Sequence, residues 1–297
     1  MRFGIMNMQM DALIPPGFSP QNAQAHIAGF DHPTLVRQMA APGFNLIELG
    51  GDLTLFFPQA YAPQTVERLA ALKAELGLSY TVHLPLWSFE PSTPLTPVRQ
   101  GSARSVIEVI QATAALAPEA YVLHATGPLA AEFYRMKLPA AARELILRHY
   151  FQRASLDSLR AILGETGLPS RRLAIETIEF PLELTLEMAE ALDLAICLDT
   201  GHILSGFSGP VDFFDALERC LPRLAEIHLH DSPRNLDQER IVYGQDHRQL
   251  GTGDLELGRL LDRLVEAGFR GPIIFELNIP QALASLAAIR AVRPGLL

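Results

Sequence analysis

The sequence has few cysteines and no long apolar run. Among its 297 residues only Cys197 and Cys220 are cysteines, and they do not form a CxxC pair. This excludes a disulfide-rich scaffold or a cysteine-rich zinc module and fits a reducing compartment. No segment reaches the ~18 consecutive apolar residues of a membrane span, and the amino terminus lacks a basic stretch followed by a long apolar one. We therefore expect a soluble, cytoplasmic protein without a membrane partner.

Basic residues are also scarce. The chain has 24 Lys and Arg against 33 Asp and Glu, which gives a formal net charge of −9. A protein held to nucleic acid through phosphate contacts needs a dense basic face, so nucleic acid is not an expected partner. Hydrophobic residues make up 48% of the chain and charged residues 19%, a composition that excludes wholesale disorder and allows a sizeable core.

Short apolar runs alternate with longer segments of helical period. The runs predict eight strands at Arg2–Met8, Leu46–Leu49, Ser79–His83, Ala120–His124, Leu173–Glu176, Leu194–Asp199, Ala225–His230 and Ile273–Leu277. The helical segments include Pro63–Leu76, Ser102–Leu116, Pro139–Leu163 and Leu255–Ala267. In the first of these, Val66, Leu69, Leu72 and Leu76 recur every three or four residues, as in a helix packed on a sheet.

This order predicts an α/β protein, a single (β/α)₈ TIM barrel. No low-complexity linker or charge block divides the chain, so we expect one domain over residues 1–297. Two long loops, Met8–Asp31 and Trp87–Pro97, follow the first and third strands and should lie over the barrel mouth. In such a barrel, chemistry takes place where the strands end.

Those strand ends carry side chains that bind metals. Six of the nine histidines fall there or just beyond, accompanied by carboxylates; the set is His83, His124, Glu176, Asp199, His202, His228, His230, Asp246, His247 and Glu276. One histidine at a strand end is usually structural, and Asp199 could cap the next helix. A buried carboxylate, however, needs a cation, a proton or a donor. Divalent cations, Zn or Mn at one to three per chain, account for the whole set.

The same segments resemble the xylose isomerase-like barrel superfamily, which includes sugar isomerases and epimerases and zinc-dependent apurinic endonucleases. The metal set of the epimerases corresponds to Glu176, Asp199, His228 and Glu276. In that case Glu176 and Glu276 would also be catalytic, transferring a proton beside a metal-polarised carbonyl.

The endonuclease branch implies further metal ligands, and the matching positions are His83, His124, His202 and His247. There are two departures. His230 stands where that branch has Asn, and Gln245 stands where it has Asp, with Asp246 displaced by one residue. YTVHLPL, AYVLH, LAIETIEFPLEL, CLDTGHIL and IHLHD also resemble the cobamide-remodelling phosphodiesterases, which use this barrel to cleave a phosphodiester in corrinoids.

These residues lead to a first hypothesis and an alternative. The first is a metal-dependent phosphodiester hydrolase of a small molecule such as a corrinoid, in which a metal-activated water attacks phosphorus and Glu176 or Glu276 orients that water. The alternative is a divalent-metal-dependent sugar or sugar phosphate isomerase or epimerase. DNA cleavage and a non-catalytic ligand-binding barrel are less favoured. We expect substrate contacts at His230, Asp246, Arg248 and Trp87; Arg248 could equally be a solvated loop charge.

Overall fold

The computed structural model describes residues 1–6, 13–14, 17–235 and 244–296. The last two residues of the predicted first strand, 7 and 8, lie outside this part of the chain, as does much of the predicted loop that follows them. Every residue predicted for the functional site is described. Within the described residues, no helix has the length and apolar character needed to cross a membrane.

Eight parallel strands close into a barrel in sequence order. Their bounds are β1 Arg2–Met6, β2 Leu46–Gly50, β3 Ser79–His83, β4 Tyr121–Leu123, β5 Leu173–Glu176, β6 Ala195–Asp199, β7 Leu224–His228 and β8 Pro272–Phe275. β8 pairs with β1 and completes the ring. The predicted (β/α)₈ barrel is confirmed, and each predicted strand overlaps an observed one.

Helices cover the outside of the barrel. Their bounds are Ala23–Gly29, His32–Ala40, Leu53–Phe56, Pro63–Leu76, Thr96–Thr113, Pro128–Arg135, Ala140–Glu144, Arg153–Thr166, Leu182–Ala191, Thr200–Leu204, Phe213–Cys220, Leu257–Glu266 and Ile279–Val292. A π-helical segment, Leu145–Gln152, joins two of them. The single helix expected over Pro139–Leu163 is therefore three consecutive segments, because the middle one is wound more loosely.

The large core lies between strands and helices. In the helix Pro63–Leu76, Val66, Leu69 and Leu72 are buried, whereas Leu76 in the last turn is 39% exposed. The inside of the barrel is lined differently, by a small apolar cluster of Val122, Ala174, Ala195 and Cys197. Because side chains alternate along a strand, the residue two positions after an inward-facing one also faces inward. The polar side chains at the strand ends therefore lie on the same inner face of the strands as the residues of this cluster.

Two predicted loop boundaries differ from the structure. The stretch after β1 contains the helix Ala23–Gly29, and the helix after β3 begins at Thr96 instead of the predicted Ser102. Proline at the second position of the latter helix, Pro97, fits an early start because the missing N–H of proline has no helical acceptor there. The segment from Trp87 to Leu95 remains a loop.

Candidate metal centre

The strand ends bring the predicted ligands together at one rim of the barrel. His83, Glu176, Asp199 and His228 are the last residues of their strands, and His124 and Glu276 each follow a strand end by one residue. His83, Glu176, Asp199 and His228 are at most 2% exposed. Parallel strands place all of these side chains on the same side of the molecule. Together with three further histidines they form three groups, here called the first, central and third groups, of which the first two share Glu176.

The first group consists of His83, His124 and Glu176, whose candidate ligand atoms all lie within 4.8 Å of one another. Nε2 of His83 lies 3.1 Å from Glu176 Oε2, and Nε2 of His124 lies 3.0 Å from the same oxygen. The other ring nitrogen of His83, Nδ1, lies 2.9 Å from the backbone oxygen of Leu84. That contact orients the ring, since Nδ1–H bonded to a carbonyl leaves Nε2 free to bind a cation.

The central group consists of Glu176, Asp199, His228 and Glu276. Nδ1 of His228 lies 3.4 Å from Glu176 Oε1 and 3.3 Å from Glu276 Oε1. Glu176 therefore turns one carboxylate oxygen toward the first group and the other toward the central group. A carboxylate placed in this way can bridge two sites.

The third group lies beyond β6 and β7 and contains His202, His230 and His247. Asp246 lies between two of these rings, with Oδ2 3.1 Å from His247 Nδ1 and 3.7 Å from His202 Nε2. Although Asp246 is displaced by one position relative to the endonuclease pattern, its carboxylate still reaches this group. His247 adopts a left-handed backbone conformation with φ of 54°, which is uncommon for a residue other than glycine.

Local backbone contacts hold these side chains in place. Asp199 Oδ1 accepts the N–H of His202 at 2.7 Å, so Asp199 caps the following helix and also faces the central group. The helix-cap interpretation of Asp199 is confirmed, and its role as a metal ligand stays a prediction. A Cβ atom on Gly201 would lie 2.2 Å from the His230 ring, so glycine at this position lets that ring pack against the chain.

The buried charges shift one another's pKa values strongly. Burial opposes a charged ring, but Glu176 and the other carboxylates raise the pKa of His83 to about 9, and Asp199 and Glu176 raise that of His202 to about 9. Hydrogen bonds to Asp246 and Glu276 raise the pKa of His247 to about 11 against the effect of burial. Burial likewise favours neutral carboxyls, yet neighbouring histidines hold the pKa of Glu176 well below its usual range.

This arrangement fits divalent cations. Nδ1 of buried His228 has no hydrogen-bond partner among the described residues, although it faces the carboxylates of Glu176 and Glu276. Borderline nitrogen and hard oxygen donors in such numbers suit Zn or Mn. Ligands for a cation are thus present in each group, with Glu176 shared between two of them.

The residues predicted to contact substrate lie at different depths. His230 is fully buried, so it is placed to orient its neighbours. Trp87 is 43% exposed at the mouth and packs edge-on against Phe56, with ring centroids 5.8 Å apart. Arg248 exchanges two backbone hydrogen bonds with Asp231, and its guanidinium contacts Gln245.

Sequence reasoning assigned no role to four buried acidic residues of the site region. Glu48 and Glu226 lie inside the barrel beneath the ligands, Asp52 accepts the N–H groups of Leu86 and Trp87, and Asp231 holds the loop of His247. The signal for Glu48 is the same as for Glu176: a carboxylate within an apolar strand, LIELG.

Comparisons with known proteins agree with the fold. Residues 36–293 match the family described as xylose isomerase-like TIM barrel. The chain is 23% identical over 231 residues to the uncharacterized protein MJ1311 of Methanocaldococcus jannaschii, which covers 75% of this chain and 73% of that protein. It also superposes on a D-tagatose 3-epimerase-like protein with a TM-score of 0.70 and 19% identity, over 98% of this chain and 97% of the other.

A second solved structure comes from the endonuclease branch. Endonuclease IV from Thermus thermophilus superposes with a TM-score of 0.65 and 20% identity, and the match covers 98% of each chain. At such identities a structural match establishes the fold, and the family model that matches residues 36–293 establishes the family. The chain belongs to the xylose isomerase-like TIM barrel family.

Proposed function

We propose that the protein is a metal-dependent phosphodiester hydrolase acting on a small molecule. The observation that carries this proposal is the presence of two histidine-rich groups on either side of the central one, the first of which shares Glu176 with it. An isomerase or epimerase with a single metal ion needs only the four residues of the central group. The likeness to a structure named as an endonuclease, an enzyme that cleaves phosphodiesters, points the same way.

The chain's own residues would hold and orient the reacting groups. When bound, divalent cations withdraw charge from a phosphate and lower the pKa of a nearby water. Glu176 is 1% exposed and is held by His83 and His124, which suits a fixed bridging ligand. The Glu276 side chain is 8% exposed and its Oε2 lies 3.2 Å from His247 Nε2, so it is the more accessible carboxylate for taking a proton from the attacking water.

Charge at the mouth also favours an anionic substrate once cations are present. Glu176, Asp199, Asp246 and Glu276 give the site its negative charge, which the raised pKa values of His83, His202 and His247 offset in metal-free protein. Divalent cations would add positive charge at the mouth, and a positive mouth attracts a phosphodiester. Trp87 is the residue of the rim placed to contact the rest of the substrate, and a corrinoid phosphodiester is the first candidate, in line with the sequence resemblance.

A sugar isomerase or epimerase is the second candidate function. It is supported by the complete central group, and by the likeness to a structure named as D-tagatose 3-epimerase-like. In this reaction Glu176 and Glu276 would carry a proton to and from the carbon beside a carbonyl.

Metal content separates the two functions. Protein purified without chelator is analysed for metals and then assayed with bis(4-nitrophenyl) phosphate, with a corrinoid and with ketohexoses. Two or three ions per chain together with phosphodiester cleavage would support the hydrolase. A single ion together with ketohexose epimerisation would replace it with the second candidate.

A further inference from the structure

A second polar layer lies directly beneath the ligands, inside the barrel. Glu48 on β2, Thr81 on β3 and Glu226 on β7 are all fully buried. Oε2 of Glu48 and Oε2 of Glu226 have no hydrogen-bond partner among the described residues. A buried carboxylate without a partner is costly, so its retention calls for a role. The layer contributes nothing to the three groups except through His228, which it touches from below.

His228 has its two ring nitrogens on opposite sides. Nδ1 faces the central group, 3.3 Å from Glu276 Oε1, while Nε2 lies 3.3 Å from Glu48 Oε2. Nε2 and Glu48 Oε2 are both buried atoms that form no hydrogen bond within the described part of the chain, and they lie within ion-pair distance of each other. Cys197 also borders the ring, but a thiol is a much weaker acceptor than a carboxylate.

The tautomer of His228 follows from this placement. A nitrogen that binds a cation must be free of a proton, and a neutral imidazole keeps its single proton on the other nitrogen. Binding through Nδ1 therefore requires a proton on Nε2, which faces Glu48. A carboxylate that accepts this proton fixes the ring and makes the ligand nitrogen more basic.

We propose that Glu48 is a positioning residue of the central group, whose carboxylate accepts the Nε2–H of His228 and so commits Nδ1 to the cation. This rests on the proposed metal-binding role of the central group. The assignment singles out Glu48 from Glu226. Thr81 Oγ1 lies 3.0 Å from Oε1 of Glu226 and 3.4 Å from Oε1 of Glu48, so this hydroxyl contacts both carboxylates. The difference lies at the ring, because Glu48 Oε2 is 3.3 Å from His228 Nε2, whereas Glu226 has no ion-pair contact with His228 within 4.0 Å among the described residues.

The matched test compares Glu48→Gln and Glu48→Leu with Glu226→Gln. Zinc affinity is measured by competition with a chromophoric chelator, after circular dichroism has shown that each variant is folded. We expect Glu48→Leu to lower the affinity of the most affected zinc ion about 10- to 100-fold. Glu48→Gln should have an intermediate affinity, because its amide oxygen can still accept a hydrogen bond. Glu226→Gln should bind zinc nearly as tightly as the wild type. Equal losses in Glu48→Gln and Glu226→Gln, or no loss in either Glu48 variant, would overturn the proposal.

A spectroscopic readout keeps the proposal testable if Glu48→Leu fails to fold. In zinc-loaded protein with ¹⁵N-labelled histidine, His228 should show a protected Nε2–H, assigned by its loss in His228→Gln. That proton should shift and exchange faster in Glu48→Gln and stay unchanged in Glu226→Gln; the reverse order would refute the role of Glu48. These measurements do not depend on catalysis. A protein that binds zinc as expected but does not cleave phosphodiesters would contradict the proposed function and leave the role of Glu48 unaffected.

Discussion

His230 lies face to face with His247, with ring centroids 4.1 Å apart and ring planes inclined by 12°. Nδ1 of His230 accepts the backbone N–H of His247 at 2.8 Å, and Nε2 lies 2.8 Å from Asp199 Oδ2. A neutral ring that accepts at Nδ1 donates at Nε2. His230 thus links Asp199 of the central group to His247 of the third group.

The link predicts the effect of His230→Asn. Loss of the stacked ring should leave His247 poorly oriented. The affinity for the most weakly bound zinc ion should then fall about 10- to 100-fold, as it does when other residues that support metal ligands are replaced. Zinc titration against a chromophoric chelator measures this. His149→Asn, an exposed histidine outside the site, is the control and should bind like the wild type. Unchanged zinc binding in His230→Asn would show that the stack does not support the third group.

His124→Asn separates the first group from the central one. Its side chain is 19% exposed and touches Glu176, so the fold should survive the change. We expect the loss of one ion per chain and a fall in the rate of phosphodiester cleavage of roughly 100-fold or more. The reason is that replacing even a residue that only hydrogen-bonds to a metal ligand lowers metal affinity or activity about 10- to 100-fold. Glu276→Gln is the companion variant, because it should abolish either proposed activity. Full cleavage by His124→Asn would contradict a role for the first group.

The buried histidines predict opposite pH dependences with and without metal. In metal-free protein the carboxylates raise the pKa of His83 and of His202 to about 9, from an ordinary value near 6.5. Because the pKa of these rings is higher in the folded than in the unfolded chain, their protonation stabilises the fold. This stabilisation is complete below about pH 6.5 and is lost as the pH rises toward 9. The melting temperature of chelator-treated protein should therefore fall between about pH 6.5 and 9.

Metal binding reverses the trend over the same range, because each ring must lose its proton before it can bind. Zinc affinity should rise with pH, and at pH 7.5 calorimetry in buffers of different ionisation enthalpy should detect protons released on binding. The control is metal-free protein carrying both His83→Gln and His202→Gln, whose melting temperature should depend less on pH. A metal-free wild type that becomes more stable toward pH 9 would show the assigned shifts to be wrong.

Period-two alternation explains how much of this site could be predicted from sequence. The predicted bounds of β3, Ser79–His83, and of β5, Leu173–Glu176, are those of the structure, because each is a short apolar run ending at a polar side chain. Once the strands are known, a parallel barrel places their last residues on one rim. The convergence of His83, Glu176 and His228 therefore follows from local sequence alone.

Contacts across the barrel could not be predicted in the same way. Glu48 stands opposite Thr81 in the β2–β3 register, yet its approach to His228 depends on closure of the barrel through β1 and β8, which brings β2 within reach of β7. The same limit applies to Asp231, whose partners are backbone N–H groups about twenty residues away. Strand periodicity shows which face a residue occupies, but the partner across the barrel is set by the ring of strands.

Asp231 provides a test of loop anchoring. Its Oδ2 accepts the N–H groups of Gly251, Thr252 and Gly253 at 2.8, 3.2 and 2.9 Å. A Cβ atom on Gly253 would lie 2.4 Å from Asp231 Oδ1, so the loop packs tightly on this carboxylate. Asp231→Asn would turn an amide group toward N–H donors, and we expect the free energy of unfolding of metal-free protein to fall by about 1–3 kcal/mol.

Urea unfolding measures this change, and Asp254→Asn is the control. Asp254 is exposed and accepts the N–H of Arg234 at 2.7 Å, so its replacement should have little effect. Zinc binding by the third group should weaken in Asp231→Asn, since the same loop carries His247. Equal stability of the two variants would mean that the loop is held by other contacts.

Trp87 and Phe56 form an exposed aromatic pair at the mouth, 43% and 47% exposed. Buried Asp52 accepts the backbone N–H of Trp87 at 3.2 Å, which holds the backbone of Trp87 in the loop that follows β3. An aromatic contact contributes about 0.5–1.5 kcal/mol, so Trp87→Ala should raise KM for bis(4-nitrophenyl) phosphate about 2- to 10-fold. The value of kcat should change little, because a contact made equally in the ground and transition states affects KM alone. Leu95→Ala, 65% exposed in the same loop, is the control. A fall in kcat with KM unchanged would instead place Trp87 at the reacting phosphate.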